Sequence, residues 1–161
     1  MARLQDEIGK KRPFDDPAEE AYLNLVRTHH TLSEAFRRLF KSVGLSESTY
    51  NALRILRGHH PDPVPSQDIG EQLVARVPDV TRLVDRLVND GFAARHRTEE
   101  DRRLVLVSIT RKGLDLLNKL EASKTEIHHR QLGQLSDNEL QRLSRLLEKA
   151  RDGCHALRER D

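Results

Sequence analysis

Apolar residues recur every three or four positions along most of the chain, and in only one region does that rhythm give way to alternation. Tyr22, Leu25, Val26, His29, Leu32, Phe36, Leu39, Phe40 and Val43 mark one face of a long helix. Asp16 supplies its N-cap, Pro17 suits the first helical position and Glu19 completes a capping box. Gly44 supplies the left-handed C-cap, so this helix occupies residues 16–45. The preceding residues 1–15 are polar and irregular, with Lys10-Lys11-Arg12 ahead of Pro13, and predict an arm that is mobile or docked on a partner.

Ser46 opens a second helix whose apolar residues are Tyr50, Leu53, Ile55 and Leu56, ending near Gly58-His59-His60. The run Pro61-Asp62-Pro63-Val64-Pro65 is a stiff connector that cannot be helical. A short helix from Ser66 to Val74 buries Ile69 and Leu73. After a break at Ala75-Arg76-Val77, a fourth helix runs from Pro78 to about Asp90, with Val80, Leu83, Val84 and Leu87 on one side and Gly91 as its stop. Two strands follow, 92–97 and 104–109, joined by the tip "RTEEDRR". Thr110 caps a helix reaching roughly Gly133, about 23 residues or about 35 Å long. A capping box (Ser136, Glu139) and a staple (Leu135, Leu140) open the last helix, which runs to about His155.

Helix, short helix, break, helix and two-stranded ribbon is the order of a winged helix-turn-helix. The predicted fold is therefore mainly α, with a small two- to three-stranded antiparallel wing and a helical dimerisation region. The physical case rests on the fourth helix. Its apolar side leaves Pro78, Asp79, Thr81, Arg82, Asp85 and Arg86 facing away from the core. A helix of this length fits a major groove, where Arg donates twice to guanine and Thr meets a phosphate or a thymine methyl. Its N-terminus turns partial positive charge toward phosphate. The competing reading is an ordinary solvated face. The short preceding helix, the Gly91 stop and the basic hairpin that follows weigh against it.

The segment "SQDIGEQLVARVPDVTRLVDRLVNDGFAARHRTEEDRRLVLVSITRKG", residues 66–113, resembles the DNA-binding lobe of the MarR family, the multiple antibiotic resistance regulators. "VTRLVDRL" at 80–87, "DRR" at 101–103 and "LVSIT-KG" at 106–113 carry the likeness. The resemblance implies a DNA-binding lobe at 46–110, with a recognition helix at about 77–90 and a wing at 92–109. The helices at 16–45 and 111–161 would form a homodimer. It also implies a prokaryotic transcription factor on a pseudo-palindromic double-stranded operator, commonly a repressor released by a small phenolic or other aromatic acid. Carried over by position, Arg76, Pro78, Asp79, Thr81, Arg82 and Arg86 belong to the recognition segment. Ser66 and Gln67 position the DNA backbone, and Arg97, Asp101, Arg102 and Arg103 belong to the wing. Arg103 is the candidate minor-groove finger. Asp101 would hold an arginine of the wing or of the fourth helix, whereas Glu99 and Glu100 serve solubility or discourage non-specific binding. The chain departs from the family at Val74–Asp79, where the usual serine-type N-cap is missing. Asp79 is left either as a charge complementing the helix start or as an acceptor for cytosine.

Composition narrows the picture. Of 161 residues, 36% are hydrophobic and 4% aromatic, with no Trp, a low fraction that suits a core completed by a partner subunit. A net charge of +2 is compatible with a local basic face. One cysteine, Cys154, precludes a disulfide within the chain, and no apolar stretch suits a membrane span or secretory leader, so a cytoplasmic protein is expected. There is no Gly-rich phosphate loop, nucleophile motif or metal-ligand spacing, so neither an enzyme nor a cofactor is expected. The pairs His29-His30, His59-His60 and His128-His129 read as surface or interface histidines rather than a metal sensor, and Cys154 as an inert thiol rather than an oxidant sensor. Tyr22, Phe36, Phe40 and Tyr50 are either core residues or the lining of an aromatic-acid pocket. Two alternatives remain: a winged-helix module that binds protein instead of DNA, and a redox- or metal-responsive regulator of the same fold.

Overall fold

A computed structural model describes the backbone of residues 3–97 and 105–158, and their side chains except at 97 and from 155 onward. The described elements are α1 (Leu4–Glu7), α2 (Pro17–Ser42), α3 (Glu47–His59), β1 (Val64–Pro65), α4 (Ser66–Gln72), α5 (Val80–Asn89), β2 (Ala93–Arg97), β3 (Val105–Ile109), α6 (Arg111–Leu132) and α7 (Asp137–Arg158). Two units divide them, Met1–Ser123 and Lys124–Asp161. Among the described residues no helix is long and apolar enough to cross a membrane.

The core of the first unit is built on α3. Leu53, Leu56, Ile69, Val84, Leu87, Val107 and Leu117 are essentially inaccessible, so α3, α4, α5, β3 and the first half of α6 share one apolar cluster. The helix ends follow from local chemistry. Asp16 accepts from Ala18 N at 2.8 Å. That bond reaches the second helical residue, so the N-terminus of α2 has a single side-chain cap rather than the expected box with Glu19. Ser46 and Thr49 form a reciprocal box at α3. Gly44 (φ 78°) and Gly91 (φ 75°) end α2 and α5 in the left-handed conformation that side chains with a Cβ resist. In both cases the residue after the glycine donates back five positions, Leu45 N to Phe40 O and Phe92 N to Leu87 O, each at 2.9 Å, a Schellman ending.

Two further expectations need correction, and the sheet gains its third strand from a segment expected to be non-helical. Residues 1–15 are not wholly irregular: α1 forms one turn that contacts α2, with Leu4 buried and Glu7 3.4 Å from Arg27. A single turn carries no hydrophobic period, which is why the sequence pattern missed it. The proline-rich connector contains a strand. Val64 pairs with Val107 and Pro65 with Leu106, making a three-stranded antiparallel sheet in the order β1-β3-β2. Pro65 is tolerated because β1 is an edge strand. The recognition helix begins at Val80, two residues after Pro78, because Asp79 acts as the cap.

In the second unit, Ser136 and Glu139 form the predicted box of α7. Ser136 N and Oγ donate to the Glu139 carboxylate at 2.8 and 2.7 Å, and Glu139 N donates back to Ser136 Oγ at 3.4 Å. These bonds hold the Glu139 carboxyl below its ordinary value of 4.5. His128 on α6 is also lowered, by burial first and then by Lys124 and His129.

Candidate nucleic-acid interface

Helix α5 buries Leu83, Val84 and Leu87 and leaves Thr81, Arg82, Arg86 and Asn89 exposed. The two faces arise from the i, i+3, i+4 spacing alone. At its start the Asp79 carboxylate accepts from Arg82 N at 2.8 Å. This geometry gives Asp79 the helix-start role through one of its two carboxylate oxygens. Asp79 satisfies an orphan amide of the first turn, as serine does elsewhere. An open groove of about 590 Å³ runs along this face, lined by Ser46, Thr49, Pro78, Asp79, Arg82 and Arg86 among others. Arg76 lies exposed in the turn ahead of α5, with Val74 78% accessible just before it. Ser66 and Gln67 form the first turn of α4, half-buried and exposed respectively.

The polar residues of α5 are not equivalent. Arg82 has no side-chain partner among the described residues. Arg86 donates from Nη2 to the Gly44 carbonyl at 3.0 Å, and its Nε lies 3.8 Å from Asp90. Asp85, placed by the sequence on the outward side of the helix, forms an ion pair with Arg95 of β2. Arg95 also reaches the Thr81 carbonyl at 3.5 Å. The sequence reading had not singled out Arg95, although a signal was present. Arg95 lies on the same face of β2 as buried Ala93 and pairs across the ladder with buried Val107, so its stem starts on the core-facing side while its partly exposed guanidinium meets Asp85.

The wing stem is joined to the end of α5 by the motif residues Thr110 and Lys112. Three consecutive carbonyls each receive a donor. Lys112 Nζ reaches Asp90 O at 2.7 Å, Thr110 Oγ1 reaches Gly91 O at 2.8 Å and Thr110 N reaches Phe92 O at 3.0 Å. Thr110 Oγ1 also accepts from Gly113 N at 3.2 Å, capping α6 as predicted. The Lys112 ammonium stands 4.8 Å above the Phe92 ring. Helix α5, the first strand of the hairpin and the start of α6 therefore meet at one hydrogen-bonded junction.

Other sequence candidates fall differently. The backbone of Arg97 ends β2, while Asp101, Arg102 and Arg103 lie outside the described residues. The aromatic candidates do not line one pocket. Phe40 and Tyr50 are buried and stacked at 4.2 Å, Phe36 is 6.0 Å from Phe40, and Tyr22 is exposed on α2. A separate cleft of about 430 Å³ lies between α2, α3 and the turn before α5, lined by His29, Arg37, Glu47, Asn51, Leu73 and Val77 among others. Among the described residues no three His, Cys, Asp or Glu side chains converge on one point, and Cys154 is exposed.

Comparison with known proteins places this geometry. The model of the MarR family matches residues 45–105. A solved MarR transcription factor from Planctomyces limnophilus is 42% identical, with a TM-score of 0.67, covering 84% of this chain and 98% of that one. The HTH-type transcriptional repressor IacR of Pseudomonas putida is 26% identical over 146 residues, 86% of each chain. The fold also matches a mutant MarR from Escherichia coli solved with operator DNA, at 19% identity and a TM-score of 0.71, covering 92% of this chain and 99% of that one. The helix-turn-helix with its three-stranded sheet, the match across its DNA-binding lobe and 42% identity to a near-complete relative together establish that this chain belongs to the MarR family of transcriptional regulators.

Proposed function

We propose that the protein is a cytoplasmic homodimeric repressor that sets α5 of each subunit into successive major grooves of a pseudo-palindromic operator, with the wings in the flanking minor grooves. The observation that carries this reading is the capped, two-faced α5, whose exposed side bears Thr81, Arg82 and Asn89 directly ahead of a β-hairpin. Ser66 and Gln67 would position the DNA backbone against that side, Arg76 and Pro78 would belong with α5 to the recognition segment, and Arg97, Arg102 and Arg103 would serve the wing, with Asp101 orienting an arginine of the wing or of α5. The E. coli relative bound to operator DNA lends support by analogy of fold.

Dimerisation is supported by apolar side chains left uncovered within each unit. Tyr22, Leu25 and Val26 stand 65%, 47% and 47% accessible on α2, and Leu143 and Leu146 are exposed on α7. Exposed apolar residues at helical spacing suit a second copy of the chain, in a self-complementary two-fold contact. Release by a small aromatic effector is assigned to the 430 Å³ cleft rather than to the stacked rings of Phe40 and Tyr50. Arg37 lines that cleft, with Nη2 donating to the His30 carbonyl at 3.4 Å and Nε 3.8 Å from Glu47, and would turn from both to receive a carboxylate.

The test is selection of bound duplexes from a random pool, followed by gel shifts at several salt concentrations and with a panel of aromatic acids. Enrichment of an inverted repeat, affinity falling steeply with salt, and weakening by Arg82→Ala and Arg103→Ala are expected. Recovery of no enriched duplex would favour a protein-binding winged helix instead. Wild-type affinity in Arg103→Ala would remove the wing assignment. A monomer in sedimentation at micromolar concentration would remove the dimer.

A further inference from the structure

The two arginines of α5 look interchangeable in sequence, one helical turn apart on the same face, but they have different surroundings. Arg86 is held on one side of its guanidinium. Nη2 donates to the carbonyl of Gly44, the residue that ends α2, at 3.0 Å, while Nε lies 3.8 Å from Asp90, too far for a hydrogen bond. The bond to Gly44 spans 42 positions in sequence and joins the exposed side of α5 to the turn between α2 and α3. Arg82, four residues earlier, contributes its backbone N–H to the Asp79 cap, and its side chain has no partner among the described residues.

We infer that Arg86 is a positioning residue that braces α5 against the α2–α3 turn, and that Arg82 is the arginine that reads a base. Bidentate donation to guanine needs two adjacent N–H groups of one guanidinium aimed at the same base edge. The Nη2 bond to Gly44 fixes where the Arg86 guanidinium sits, so it can offer a base edge only the N–H groups left over in that fixed pose. Among the described residues, Arg82 has no side-chain partner to give up. The brace is a single donor on a single carbonyl, a task that a lysine ammonium also performs, whereas lysine replaces the planar arginine fork on guanine only with loss. Lysine substitution therefore separates the two roles.

The inference rests on the operator-binding reading, but one of its tests does not. In the free protein, Arg86→Ala should speed hydrogen exchange of amides in α5 and in residues 43–46, and Arg86→Lys should largely restore protection; Arg82→Ala should leave both segments near wild type. Unchanged exchange in Arg86→Ala overturns the brace whether or not the protein binds DNA. On DNA, the selected duplex and all its single-base-pair variants are compared. Arg82→Ala should lose about 5- to 150-fold on the selected duplex and erase discrimination at one base pair per half-site. Arg86→Ala should weaken every duplex by the same factor and keep the order of preference, and Arg86→Lys should recover most of that loss. Loss of discrimination at one base pair in Arg86→Ala, with no rescue by lysine, would make Arg86 a reader and overturn the inference. If the wild type enriches no duplex, the operator reading fails while the exchange result still decides the brace.

Discussion

Replacing Gly113 by alanine sets two physical effects of opposite sign against each other. Gly113 lies in the first turn of α6 at an ordinary φ, so helix propensity alone predicts that alanine stabilises by about 1 kcal/mol, partly through a less flexible unfolded chain. A Cβ there, however, would stand 2.4 Å from the Phe92 carbonyl oxygen and 2.8 Å from Ile109 Cγ1. The oxygen cannot easily retreat, because it already accepts from Thr110 N at 3.0 Å while Phe92 N is bonded to Leu87 O. Overpacking of this kind costs about 1–3 kcal/mol, and a rigid backbone obstacle argues for the upper end. The net expectation is a loss of about 2 kcal/mol. Urea unfolding followed by far-UV circular dichroism measures it as a lower midpoint at unchanged slope. If the domain folds alone in a two-state manner, its unfolding free energy should fall by that amount, and operator affinity should fall with it if the junction also positions the wing. A Gly113→Ala protein as stable as wild type, or more so, would refute the reasoning that close approach, not turn conformation, puts glycine in this motif.

Further outcomes follow from the same geometry. Asp79→Ala should destabilise by about 1 kcal/mol through loss of the N-cap, while Asp79→Ser keeps most of the stability; equal losses in urea unfolding would mean the carboxylate does something other than cap. Arg95→Ala should leave global stability within about 1 kcal/mol, since the pair with Asp85 is partly exposed, and any larger effect on operator affinity in a double-mutant cycle would report positioning of α5 by the wing. Glu139 has a lowered folded pKa, so its share of the α7 cap is complete above the usual glutamate range and disappears as pH falls through that lowered value. Carboxyl chemical shifts should show Glu139 titrating below exposed glutamates and returning to their range in Ser136→Ala.

The order of elements was readable in the sequence because it depends on local signals. Apolar spacing over residues 80–87 is enough to define α5, and Ser136 with Glu139 is enough to start α7, since both involve neighbours within a turn or two. The left-handed ends at Gly44 and Gly91 were legible for the same reason. The missing serine at the start of the recognition helix left Asp79 ambiguous, and the 2.8 Å bond from Arg82 N to one carboxylate oxygen shows that it caps the helix. Likewise, β1 needed β3 as a partner from more than forty positions away, and its two residues carry no pattern of their own.

What the sequence by itself determined is the kind of molecule: a winged helix-turn-helix of the MarR family, with one face of α5 apolar and the other polar. The tertiary structure decided how those polar residues divide their tasks. It set Arg86 on Gly44, Asp85 on Arg95 and Lys112 on Asp90, stacked Phe40 on Tyr50 where core and pocket had both been open, and left Arg82 without a partner among the described residues. Periodicity specifies which way a side chain points from its own helix. It carries no information about the carbonyl or carboxylate that another element brings to meet it, and at this interface that encounter separates a brace from a reader.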